Sequence, residues 1–543
     1  MYRYYLTSEH KVFVALIALI ISLIAMKYGS IQPSKIRRNR LNNTTAIILV
    51  VLFCLLLNII IGYTYGLPVP VIHDEFAYLL SADTFAKGRL TNPPHAMWEH
   101  FQTFHVFFSP TYQAKYPPGQ GAFLALGQVV AHMPIIGVWI SLALACGACC
   151  WMFQAILPVR WAVMASMLII FNPFLIRCWG QTYWGGAAAM LGGALYFGGF
   201  FRFSQRIRLK DTLRMAVGAI IMANSRPFEG FVLCILSAPF LIFQMIRWKK
   251  NGQGRHVVLF FIIPFAISGF LLAGWILYYN YCLSGDMFKF YYYNWKSVHA
   301  TIPLIQTFTG SPYRSPLNEI RRVYYFFIGP VLAFTVLGVH TLAKKKQITI
   351  AMLLFVSLTV ISIIQSKAWP HYLAPAVCLL YAGVAWILHA LLDLKINGRP
   401  WGRFLVSMCL AVYFIRSLFY FGFEPYFKPD SGWMLARDQI QKILIQQPGN
   451  DLILVRYAQN HVAHWEWVYN EADIDGSEVV WARDLGPDKN RQLTAYYRDR
   501  KIWLVLGDED PPQLYQYQSG KFEPYLYYDD RTIQKYAYFR IGY

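Results

Sequence analysis

The run "TAIILVVLFCLLLNIIIGYTYG" (residues 45–66) carries no charged side chain from end to end. A stretch of that length matches the roughly 20 apolar residues a helix needs to cross the hydrocarbon core of a bilayer. In lipid the backbone must satisfy its own hydrogen bonds, so only helices and closed barrels can span. Similar segments recur near 12–29, 137–157, 161–176, 184–201, 213–225, 228–246, 257–281, 323–343, 348–365, 372–392 and 404–422. The sequence therefore predicts an α-helical polytopic membrane protein with about 12 spans. With 56% of its 543 residues hydrophobic and 14% charged, the chain is excluded from the ordinary soluble globules.

The charges that remain set the orientation. The formal net charge is +21, but the basic residues fall in short clusters between apolar runs: "SKIRRNR" (34–40), "RFSQRIRLKDTLR" (202–214), "RWKKNGQGRH" (247–256), "KKK" (344–346) and "DLKINGRPWGR" (393–403). Threading the spans in order puts all of these on one side, which the positive-inside rule makes cytoplasmic. A nucleic-acid partner is excluded, since neither a basic face nor a recognition motif accompanies the charge. The N-terminus is then outside. Residues 12–29 read as a first span and not a signal peptide, because "IAMKYGS" makes a poor cleavage site. The nine cysteines lie in or at the ends of apolar segments and imply no disulfide framework; Cys146 and Cys149 read as small packing residues.

The remaining loops fall on the extracytoplasmic side: 67–118, 177–183, "NSRPFEG" (224–230), 282–322 and 366–371, together with everything after about 423. That last part changes character. Strand-length apolar runs, "DLILVRY" (451–457), "SEVVWAR" (477–483) and "RKIWLVLGD" (500–508), alternate with helix-like stretches at 431–446 and 487–497. The domain organisation is thus a membrane domain over 1–423, with 67–118 as its first external loop, and a small extracytoplasmic α/β domain over 424–543.

The first external loop concentrates the chemistry. Asp74 and Glu75 open a helix whose Phe76, Leu79, Leu80 and Phe85 repeat on one face, suiting a helix in the membrane interface. Acidic residues in a first turn complement the helix dipole whatever else they do. The loop closes on "AKYPPGQGAFLALGQ" (114–128), where Pro117 and Pro118 set an extended turn before an apolar helix too short to span comfortably. "RCWGQTYWGG" (177–186) gathers Trp179, Gln181, Tyr183 and Trp184, residues of an aromatic belt or of a sugar-stacking surface. "QSKAWPHYLAP" (365–375) sets Lys367, His371 and Tyr372 at the mouth of a span. His95, His100 and His105 share no helical face and show no zinc-site spacing. His461 and His464 read as surface or packing residues.

With "HDEFAY" and "KYPPGQG" in these positions, the membrane region resembles the GT-C glycosyltransferases, and within them the protein O-mannosyltransferase and aminoarabinose transferase branch. The resemblance implies a GT-C-like fold and inverting transfer of a sugar from a polyprenyl-phosphate donor to a lipid, glycan or protein acceptor at the outer face. It gives Asp74 the role of general base and Glu75 that of positioning the acceptor or Asp74. The departing phosphate needs cations or donors, for which Lys115, Arg177, Arg226, Lys367, His371 and Tyr372 are the candidates. Arg226 has a second reading as the ion-pair partner of Glu229, and His371 as an interfacial polar residue. No acid precedes Lys115 as it does in the aminoarabinose transferases, so a divalent metal gains little support and no cofactor is implied. A transporter or a non-catalytic envelope scaffold are the alternatives; a bacterial inner membrane is the expected location.

Overall fold

The computed structural model describes residues 19–20, 42–289, 315–365, 369–422, 432–458, 461, 465–509, 512–518 and 521–526. The expected first span at 12–29 lies almost wholly outside these residues, as do Lys367 and His464.

Among the described residues six helical runs are long and apolar enough to cross a membrane, or up to seven if the bent pair Val159–Ile170 and Pro173–Gly180 counts as one span. The protein is a multi-pass membrane protein. Asn172 makes the 66° bend in that pair: it caps the second helix through the amides of Phe174 and Leu175. Its amide nitrogen donates to the Phe326 carbonyl and the Tyr381 hydroxyl. One long run, Pro227–Ser284, leaves helical geometry at Asn251 and Gly252 (φ +76°), inside the basic 247–256 segment. The regular span expected at 323–343 is instead a helix at Pro316–Val323, a wide turn at Tyr324–Ile328 and a 3₁₀ run at Ala333–Lys344. Pro330 supplies no amide hydrogen to a helix, and Gly329 before it sits at φ +61°.

Small residues let the helices approach closely. A Cβ on Gly193, in the helix Ala187–Phe203, would stand 1.8 Å from the carbonyl oxygen of Pro375. One on Gly137 would stand 1.8 Å from that of Phe123. Glycine is required at both.

The C-terminal part carries a five-stranded sheet ordered β4–β3–β5–β6–β7, with β3 Asp451–Arg456, β4 Val479–Arg483, β5 Lys501–Leu506, β6 Gln513–Gln518 and β7 Lys521–Leu526. β3 runs parallel to both β4 and β5, and the last two strands, which the sequence reading lacked, add antiparallel. Alternation sorts its two faces. Ile453 and Val455 pack with Ala436, Ile440 and Leu444 of the helix Trp433–Ile445, whereas Leu452 and Leu454 join a cluster containing Leu493 of the helix Pro487–Tyr496. That second cluster also contains Phe101, Tyr112 and Tyr116 of the first loop. The C-terminal sheet therefore packs directly on the loop.

The helix His73–Ala86 is enclosed by protein on more than its apolar face: His73, Glu75, Phe76, Ala77, Tyr78, Leu80, Ser81, Ala82 and Thr84 are all buried. Phe76 stacks on Tyr469 of the C-terminal part at 4.3 Å, and Asp83 accepts the amide of Ala472.

Candidate active site

The two neighbouring carboxylates diverge because successive helical positions point about 100° apart. Glu75 turns inward. Its Oε2 accepts the amides of Val71 and Ile72 at 2.7 and 3.3 Å, and its Oε1 accepts that of Tyr183 at 2.9 Å. It thereby caps its own helix and ties the segment after Gly180 to the loop. Burial pushes its pKa up to about 7 against the pull of those amides.

Asp74 keeps partial exposure, with its side chain 19% accessible. Its Oδ2 is 2.9 Å from Nδ1 of His73 and 3.9 Å from Nε2 of His105, and Tyr116 donates its hydroxyl to Oδ1. Burial alone would raise the pKa of Asp74. The imidazoles of His105 and His73, with the Tyr116 hydroxyl, outweigh it and hold the carboxyl well below the usual range.

A short hairpin assembles this cluster. β1 (Val106–Phe107) pairs antiparallel with β2 (Gln113–Ala114), and the amide of Lys115 donates to the carbonyl of His105 at 2.9 Å. His105, at φ +64°, is thus laid beside Lys115 and Tyr116. The Lys115 ammonium sits 5.0 Å from the ring centre of Tyr116, which stacks on Tyr78. Pro117 and Pro118 then start the helix Pro118–Ala131, proline being tolerated where no intrahelical donor is needed. Gly119 follows, its amide on the carbonyl of Asn224 at 2.6 Å. A Cβ at 119 would lie 2.5 Å from that oxygen. The Pro-Pro turn is so held two residues from Arg226.

Arg226 lies over the ring of Tyr372 at 4.8 Å, and the ring of His371 is 4.4 Å from those of Tyr372 and Trp184. Burial, then the positive charge of Arg226, press the pKa of His371 well below the ordinary imidazole value, so it is a neutral donor or acceptor. Asp74 and Arg226 both act on His371 and Tyr372 electrostatically, which places the carboxylate and the cation in one site.

The structure therefore gathers Asp74, Glu75, Lys115, Tyr183, Trp184, Arg226, His371 and Tyr372. Trp179 and Gln181 are placed elsewhere: Trp179 is 1% exposed within the helical core, and Gln181 donates to Asn58. Arg177 lies in the last turn of Pro173–Gly180. Sequence reasoning missed His73, His105, Tyr116 and Arg322; the last lies 4.2 Å from the Trp369 ring and is paired with Glu319. The signal for His105 was a hairpin across "SPTYQ" (109–113), which pairs 105 with 115. His73, Asp74 and His105 offer ligand atoms all within 4.8 Å of one another, a two-nitrogen, one-oxygen set that fits a zinc-like ion. An ion there would act as a Lewis acid.

No known family model matches the chain, and no curated protein matches its sequence. Solved structures do. ArnT from Cupriavidus metallidurans bound to undecaprenyl phosphate is 13% identical, with a TM-score of 0.51 over 84% of this chain and 92% of that one. The Archaeoglobus fulgidus oligosaccharyltransferase tethered with an acceptor peptide containing the NVT sequon is 11% identical, with a TM-score of 0.50 over 86% and 69%. The chain has the fold of the GT-C glycosyltransferases. Within that class its architecture is similar to that of ArnT, the resemblance its loop motifs carry.

Proposed function

We propose that this protein is an inverting glycosyltransferase that moves a sugar from a polyprenyl-phosphate donor to an envelope acceptor at the extracytoplasmic face of a bacterial inner membrane, with twelve spans over residues 1–423 and an outer domain over 424–543. The observation that carries the reading is the pairing, in one partly open site, of a carboxylate held ionised with a cation stacked among aromatic rings: Asp74 beside His73, His105 and Tyr116, and Arg226 over Tyr372.

In this reading Asp74 takes the proton of the acceptor hydroxyl as that oxygen attacks the anomeric carbon. The bond from the anomeric carbon to the phosphate oxygen breaks with its electron pair on the departing polyprenyl phosphate. Arg226 and Lys115 receive that charge, and the neutral His371 and Tyr372 supply hydrogen bonds. Glu75 serves the site by holding backbone amides, and Trp184 and Tyr183 line the sugar's side. A carboxylate of low pKa is a weak base, so Asp74 takes the proton late, as the anomeric carbon is already turning electrophilic.

The test is the lipid held by the Asp74→Asn protein, identified by native mass spectrometry after purification in mild detergent. A base-deficient enzyme is expected to retain a sugar-bearing polyprenyl phosphate. Bulk phospholipid alone, in variant and parent alike, would overturn the reading.

A further inference from the structure

The outer domain holds a cavity of about 750 Å³ with no part in the chemistry above. That is within the range of small-ligand sites, about 300–1,000 Å³. It lies on the face of the sheet covered by the helix Pro487–Tyr496, beside the C-terminal ends of β3 and β4. Open sheets with parallel strands bind ligands at those ends, because the connecting loops leave a crevice there.

Its lining is mixed in a way that selects a chemistry. Leu454 and Ile502 form an apolar floor, and the rings of Tyr457 and Tyr517 border it. Flat apolar patches beside aromatic rings suit the C–H faces of sugar rings. The charged groups are three guanidiniums, Arg456, Arg483 and Arg491, and the carboxylate of Asp484, with Asn490 and Thr494 beside them. Arg483 is held by the buried carboxylate of Glu466, which leaves Arg456 and Arg491 as the cations that face a ligand. Arg456 places Nε on Asp484 at 2.6 Å, and its side chain is 55% exposed. Arg491 is 78% exposed, and its solvated partner Asp488, 3.6 Å away, holds it weakly. Both arginines can turn their remaining donors to a ligand, and a guanidinium matches carboxylate or phosphate oxygens in pairs.

The cavity wall is also continuous with the active-site loop. Arg483 donates through Nε to the carbonyl of Gln102 at 2.5 Å, and its own carbonyl is 2.9 Å from Nδ1 of His100. Lys489, on the covering helix, pairs with Glu99. Residues 99–102 lead directly to His105 beside Asp74.

We propose that this cavity is a binding subsite for an acidic glycan, a segment of the acceptor bearing carboxylates or phosphates. As an acceptor subsite it rests on the transferase reading above; as a glycan site it can be measured without it. The full chain in detergent micelles is titrated with octagalacturonate as the acidic probe and with maltooctaose as its neutral counterpart. The acidic probe is expected to bind at least about tenfold more tightly than the neutral one, with an affinity that falls as salt is raised. Arg491→Gln and the cavity-filling Thr494→Trp should each weaken it by about tenfold or more. Neither change breaks a buried contact of Arg491, so a folding failure in one leaves the other as the test. Binding of the acidic probe is expected to survive in Asp74→Asn, separating the cavity from the catalytic centre. Equal binding of the two probes, unchanged affinity in both variants, or tighter binding of a polyglutamate peptide would overturn the inference. Normal probe binding in a protein that holds no polyprenyl-linked sugar would support the glycan site and overturn the transferase reading instead.

Discussion

The site around Asp74 and the helical interior around Gly193 are held together by different forces. In that site, ionisable groups from the first loop and from several distant segments meet in partial burial, each balanced by a partner of matching charge or hydrogen-bonding sense. In the interior the decisive feature is the absence of side chains: Gly193 meets the Pro375 carbonyl, and Gly192 and Gly218 let the helices Ala187–Phe203 and Leu209–Ala223 touch backbone to backbone. Removing a charge should therefore damage chemistry and spare the fold, whereas adding a methyl should damage the fold first.

The sharpest break is at Asp74. Asp74→Asn keeps the shape and, in the proposed reaction, loses the base, so turnover should fall by about 10²–10⁴-fold, the range for one general base, while the chain still folds. A transfer assay run beside a thermal melt checks both; full turnover would end the assignment. Arg226→Gln comes next. In the proposed reaction it removes the charge facing the departing phosphate, and donor-lipid affinity should drop by about 1.5–3 kcal/mol, as for a hydrogen bond to a charged group. Binding of a polyprenyl phosphate to the purified protein reads this directly.

The interior supplies the converse. Gly193→Ala forces the Pro375 backbone aside and should cost about 1–3 kcal/mol of stability, seen as a lower melting temperature in detergent. Because Pro375 lies three residues from Tyr372, donor binding should weaken as well. The smallest effect is one of pH. His371 has a folded-state pKa well below its unfolded value of 6.5, so the unfolded chain binds more protons in the window between the two. The contribution of His371 is complete above 6.5 and falls as the pH drops below it. His371→Gln should flatten that loss, measured by melts at neutral and mildly acid pH.

Much of this was legible in residue order. The apolar segments, the break at 247–256, the helix opening at Asp74, the Pro-Pro start of a short helix and three strands of the C-terminal sheet all come from local rules. So did Arg226, His371 and Tyr372 as candidates for one site. Glu75 was harder to read. Its residue type suits catalysis, and only the amide of Tyr183, far along the chain, reveals that it is spent on the backbone. Trp179 shows the opposite limit: an aromatic at a helix end belongs equally to a core or to a pocket until its neighbours are known.

By itself the sequence determined that the chain spans a membrane more than once and where its long apolar segments lie. Those properties depend on bilayer thickness and on backbone hydrogen bonds closed within a segment, both local in the chain. Only the tertiary structure decided that His105 and Tyr116 attend Asp74, that Arg226 lies on Tyr372 and that the C-terminal sheet packs on the first loop. Each joins residues that share no segment, through side chains whose direction is set by how the helices and the hairpin pack, and residue order alone does not encode that direction.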